Sequence, residues 1–139
     1  MKLYLDSMVW VYFYEKHPQF HPTARALIRR HQVLRSRFVS SELVLAELLV
    51  VPKRRSDLFS AARYRHFFRS PAIALVPFSN EIAERFSDLR AFSRVKPADA
   101  LHLALAASAG VDYFVTYDAK LHSLSVPGIT HICRPEAVS

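Results

Sequence analysis

Four carboxylates, Asp6, Glu47, Asp99 and Asp118, stand where an acid needs a partner. Asp6 ends the apolar stretch Lys2–Leu5, and Asp99 and Asp118 flank the hydrophobic run from Leu101 to Val115. Each alone has a structural reading. An aspartate in the first turn of a helix is stabilised by the helix dipole, and one at a strand end can cap the turn that follows. Glu47 is harder to explain that way. It lies in SELVLAELLVV, a helix apolar nearly all round, on one face with Leu43, Val50 and Val51. Such a helix is expected to be buried, and a lone buried carboxylate is costly unless it is paired or bound to metal. Its rival Glu42 falls in the first turn, where the dipole accounts for it. Taken together, four bare carboxylates at strand ends and on buried helices would repel one another. A hard divalent cation, Mg²⁺ or Mn²⁺, resolves that conflict because it prefers oxygen ligands.

The elements that position these acids alternate along the chain. Short apolar strands are predicted at Lys2–Leu5, Arg37–Ser40, Ala72–Phe78, Tyr113–Thr116 and Thr130–Cys133. Helices are predicted at Met8–Glu15, from Pro22 to Arg30, at Glu42–Val50 behind a Ser41 cap, and at Ser56–Phe68. A fifth runs from Ser79 or Asn80 to Phe92. The last spans Ala98–Ala109, opened by Pro97 and closed by Gly110. This alternation implies an α/β fold with a mostly parallel sheet covered by helices on both faces. In such folds ligands bind beyond the carboxyl ends of the strands, which is where Asp6 and Asp118 fall.

At 139 residues, the chain has the length of one domain, residues 1–139, and its 51% hydrophobic content excludes disorder. The apolar runs Leu43–Val51 and Leu101–Ala109 are too short to cross a membrane. The opening MKLYLDSMVW meets an aspartate at position 6 and makes a poor signal peptide. The single Cys133 forms no internal disulfide, so a cytoplasmic, reducing location is expected. A net charge of +7 suits a polyanion such as RNA or DNA, or an acidic protein partner. Two basic groups stand out. One is Arg29, Arg30, Arg35 and Arg37; the other is Lys53, Arg54 and Arg55, extended by Arg63, Arg65 and Arg69. Each residue singly reads as solvated surface, and as groups they suit phosphate contacts.

The stretches LYLDS, SSELVLAEL and KPADALHLALAASAGVDYFVTYD, in this order and approximate spacing, resemble PIN-domain ribonucleases, in particular the small VapC-type toxins of bacterial toxin–antitoxin pairs. The resemblance covers nearly the whole chain, and its last segment is the specific one. It implies a three-layer α/β/α sandwich and an acidic Mg²⁺ or Mn²⁺ site that hydrolyses RNA. It also implies a cognate antitoxin and a homodimer. Carried over position by position, the site acids are Asp6, Glu47, Asp99 and Asp118. Thr116 matches a hydroxyl residue that hydrogen-bonds within the site, and Ser7 matches a small polar residue after the first aspartate. The chain departs from the pattern at Met8, where the family often has a small polar residue. The implied chemistry is metal-assisted attack of water on a phosphodiester, with no Ser, Cys or His nucleophile.

Other readings meet specific obstacles. No HExxH or Cys/His cluster supports zinc, and His102, three residues after Asp99, reads as a core or helix-edge residue. A phosphoaspartyl enzyme needs a second aspartate where Met8 stands, and no glycine-rich loop supports a dinucleotide site. A catalytically inactive PIN-like module that binds RNA or protein remains the alternative, and the four retained acids count against it. VWVYFY, Val9–Tyr14, reads mostly as core, with Trp10 or Tyr14 as candidates for facing a dimer mate or an antitoxin helix.

Overall fold

The computed structural model describes residues 1–139. Five parallel strands, β1 (Lys2–Leu5), β2 (Arg37–Ser40), β3 (Ile73–Leu75), β4 (Val111–Val115) and β5 (Ile129–Cys133), form one sheet in the order β3-β2-β1-β4-β5. β1 is therefore central, with Leu3 opposite Phe38 on one side and Tyr113 on the other. Six helices surround the sheet: α1 (Ser7–Tyr14), α2 (His21–Val33), α3 (Glu42–Arg54), α4 (Leu58–Phe68), α5 (Asn80–Phe92) and α6 (Pro97–Ala109). The α/β sandwich expected from the alternation is the observed fold.

Alternate residues of β1 serve opposite layers, as the pleat requires. On one face, Phe38 meets Trp10 of α1, which also packs against Phe67 and Phe68 of α4. On the other, Tyr4 stacks on Phe114 and meets the His102 ring of α6 edge-on. α6 is nearly all buried from Ala100 to Ala107, and its outer neighbour is α5. Trp10 is fully buried. It is core and cannot face a dimer mate or antitoxin, whereas Tyr14 is half-buried beneath the Arg63 guanidinium.

Most boundaries shift from the sequence reading by one to three residues, and two larger differences have physical reasons. β3 is only three residues long, not the seven of Ala72–Phe78. It is an edge strand, and Pro77 cannot donate to a ladder. α3 runs past Val50 through a buried Pro52 to Arg54, carried by its packing on α4. Its start is set by Ser41, whose hydroxyl accepts from the Val44 amide. Ser41→Ala removes that cap together with the buried bond between the same hydroxyl and Tyr4 Oη, and should cost about 1–3 kcal/mol. A drop in Tm of roughly 3–9 °C by calorimetry would match it, and an unchanged Tm would show that neither bond carries stability.

Candidate active site

At the carboxyl edge of the sheet a cleft of about 610 Å³ is lined by Asp6, Glu47, Asp99, Thr116 and Asp118, with Met8 among its other walls. Every site residue expected from the sequence thus borders one cavity. Met8 is 43% exposed there.

Asp6 follows β1 directly. Its amide donates to Val115 O at 2.9 Å, so the β1–β4 ladder continues to the residue itself. One carboxylate oxygen, Oδ1, accepts from the Ser7 amide at 2.8 Å and caps α1. The other, Oδ2, accepts from the buried Thr116 hydroxyl at 2.8 Å. Thr116 Oγ1 in turn accepts from the Asp118 amide at 3.1 Å. One hydroxyl therefore fixes both the Asp6 carboxylate and the turn that presents Asp118, and this is the hydrogen-bonding part expected of Thr116. Asp118 also caps the 3₁₀ turn Ala119–Leu121 through Lys120 N at 3.0 Å. The capping readings of Asp6 and Asp118 hold alongside any other role.

Asp99 projects from the first turn of α6. Burial, and then the negative charges of Asp6 and Asp118, hold its carboxyl above the usual carboxylate range. No hydrogen bond contributes to that shift. The charges of Asp6 and Asp118 are thus felt at Asp99.

Glu47 departs from expectation in its setting. Its side chain is 39% exposed, not buried, because α3 turns Glu47, Val50 and Val51 toward the cleft. Burial pushes the Glu47 carboxyl up, but hydrogen bonds from His102 and Ser7 and attraction to His102 outweigh it and hold it below the usual value. Ser7 Oγ donates to Glu47 Oε1 at 2.9 Å. His102 Nε2 meets the same oxygen in a short contact.

A carboxylate only accepts, so His102 Nε2 carries the proton of that contact. Nδ1 lies 2.8 Å from Tyr4 Oη, and Tyr4 Oη lies 2.8 Å from Ser41 Oγ. With a neutral imidazole Ser41 donates to Tyr4 and Tyr4 to His102; with an imidazolium both bonds run the other way, and in either state His102 donates to Glu47. Burial holds the Tyr4 phenol far above its usual value and so keeps it a donor. His102 is 2% exposed, so the expectation of a core residue holds. What the sequence reading missed is its contact with Glu47, 55 residues away in the chain. The available signal was its position three residues after Asp99, on the same helical face.

No three His, Cys, Asp or Glu side chains are gathered closely enough to hold an ion as the chain lies. The donor chemistry nevertheless fits one. Asp6, Asp99 and Asp118 repel across a cleft, all supply oxygen, and Mg²⁺ commonly keeps several waters while bound through one or two carboxylates.

No curated protein matches the sequence. Solved structures match the fold. Mycobacterium tuberculosis VapC20, described as a sarcin–ricin loop cleaving toxin, is 15% identical with a TM-score of 0.71, over 91% of this chain and 97% of that one. A toxin–antitoxin complex from Klebsiella pneumoniae is 20% identical with a TM-score of 0.70, over 91% and 94%. VapBC2 from Rickettsia felis, bound to a promoter DNA fragment, is 19% identical with a TM-score of 0.66, over 96% and 98%. These likenesses show the same fold, and the family is shown separately, by the PIN domain model that matches residues 3–126. The carboxylates around the cleft thus sit in a chain that belongs to the PIN-domain family.

Proposed function

We propose that this chain is a metal-dependent endoribonuclease, the toxin of a type II toxin–antitoxin pair, built as one PIN-like domain and working in the cytoplasm. The observation that carries this reading is the convergence of Asp6, Glu47, Asp99 and Asp118 on one cleft at the carboxyl edge of a parallel sheet. No helix is long and apolar enough to cross a membrane.

Asp6, Glu47, Asp99 and Asp118, which line the same cleft, would hold Mg²⁺ or Mn²⁺. When bound, such a cation polarises a phosphoryl oxygen and acidifies bound water. The remaining work belongs to the chain. Thr116 orients the Asp6 carboxylate, and its Oγ1 holds the Asp118 turn. Ser7 and His102 fix one oxygen of Glu47 and leave the other to accept from a water or an RNA hydroxyl. Leu58, Phe59 and Phe92 are more than two-thirds exposed, which supports contact with an antitoxin or a second copy. The Klebsiella and Rickettsia structures are themselves toxin–antitoxin assemblies.

Purified, antitoxin-free protein should cut total cellular RNA into discrete fragments with Mg²⁺ or Mn²⁺. It should leave the RNA intact with EDTA, and Asp99→Asn should be inert. Intact RNA with folded wild type and metal would favour the non-cleaving module. Equal cutting by the variant would assign the activity to a contaminant.

A further inference from the structure

A second hollow, about 280 Å³, adjoins the acidic cleft and shares Asp99 and Asp118 with it. Its other charged walls are Arg94, Lys96 and Lys120. They come from separate segments: Arg94 from the loop after α5, Lys96 from the residue that opens α6, and Lys120 from the turn after Asp118. All three are exposed. None is committed elsewhere, since the ion pairs of the chain are Arg85–Glu81 and His102–Glu47. The two shared acids form no ion pair with them, although the Lys96 charge is felt at Asp99, and three cations outnumber two carboxylates around the hollow. An anion entering on their side meets that excess of positive charge.

We infer that Arg94, Lys96 and Lys120 form a binding subsite for the phosphodiester next to the one held at the carboxylates, on a single-stranded RNA. The inference rests on the nuclease reading of the cleft. The shared wall is its main support: Asp99 and Asp118 border both the cleft and the hollow, so a strand with one phosphate at those acids passes beside the three cations. The walls offer charge and no aromatic platform, so the subsite positions the strand without reading its bases. Its task is to hold the backbone in register against the acids.

The test is binding of a short, labelled single-stranded RNA in EDTA, where cleavage is silent, followed by anisotropy across a salt series. The slope of log K against log salt is about −0.7 per phosphate contact for single strands. The triple variant Arg94→Gln, Lys96→Gln, Lys120→Gln should lose roughly 0.7 from the magnitude of that slope, the share of the one phosphate held by the three cations. A control removes the same charge elsewhere, with Lys16→Gln, Arg25→Gln and Arg85→Gln. Lys16 and Arg25 line one cavity and Arg85 another, and neither shares a residue with the cleft. The control should keep the wild-type slope. Equal losses in both triples would mean a diffuse field and overturn the subsite, as would an unchanged slope in the first. A poly-glutamate peptide that loses affinity for the first triple while RNA does not would assign the hollow to an acidic protein segment and likewise overturn it. Metal-dependent cleavage by the wild type is scored separately, so failure of the subsite is distinguishable from failure of the nuclease reading.

Discussion

Without added metal, Asp99→Asn should melt higher than the wild type at neutral pH, although it cuts no RNA. The wild-type carboxyl is held above its ordinary value by burial and by the charges of Asp6 and Asp118. A group whose folded pKa is raised destabilises the native state wherever both states are ionised, which is above the folded value. It contributes nothing below the unfolded value, where both are protonated. The advantage of the variant should therefore shrink as pH falls through that window and vanish below it. Mn²⁺ should reverse the order, because an ion that binds only the native state stabilises it by mass action, and a neutral amide is a poorer ligand than the carboxylate it replaces. Calorimetry in EDTA and in Mn²⁺, at neutral and acidic pH, measures all of this. Losing a residue that merely orients a metal ligand typically costs about 10–100-fold, so losing a ligand carboxylate should cost more than about 100-fold in cleavage. A variant that melts lower at neutral pH in EDTA, or gains as much as the wild type from Mn²⁺, would show that Asp99 is not a charge held against its neighbours.

Replacing His102 with leucine should cost both stability and rate. Leucine keeps an apolar side chain in the core but breaks the line from Ser41 through Tyr4 to Glu47. A buried group left without its partner costs about 1–3 kcal/mol. Glu47 keeps only Ser7, so its carboxylate gains freedom, and kcat should fall roughly 10–100-fold with RNA affinity unchanged. His102→Gln, whose amide can still donate toward Glu47, should recover part of kcat. Because His102 and Ser7 hold the Glu47 carboxyl below its usual value, its stabilisation is present above the unfolded pKa and is lost as pH falls through the folded one. In His102→Leu that acid-side loss should flatten. A variant that is less stable but retains wild-type kcat would reduce His102 to packing.

The sheet and the acids were legible because their signals are local. Short apolar runs, Pro97 at the start of α6 and Gly110 at its end are each read within a few residues. Asp6 and Asp118 follow their strands closely, so the parallel topology alone carries them to one edge. The misread features depend on what packs against what. α3 looked buried all round because its residues are apolar, yet Val50 and Val51 face the cleft at 43% and 39% exposure. Trp10 looked available for a partner until Phe38, Phe67 and Phe68 enclosed it. The basic hollow draws on positions 94, 96 and 120. Only the approach of the α6 start to the turn after β4 makes them neighbours, and a run of charges along the chain does not reveal that.

The position of β1 at the middle of the sheet also has a consequence for biosynthesis. Its neighbour β4 lies some 110 residues further along the chain, and Thr116 must arrive before Asp6 gains its hydroxyl partner. Until then the first strand has only β2 beside it. Contacts this distant in sequence form late, after the loop between them has closed. A chain emerging from the ribosome at about 5–20 residues per second therefore carries Asp6 and Glu47 for several seconds before the rest of the cleft exists. On the proposed reading, the growing polypeptide cannot cut the RNA around it, and an antitoxin has that interval in which to be present before the first competent molecule is released.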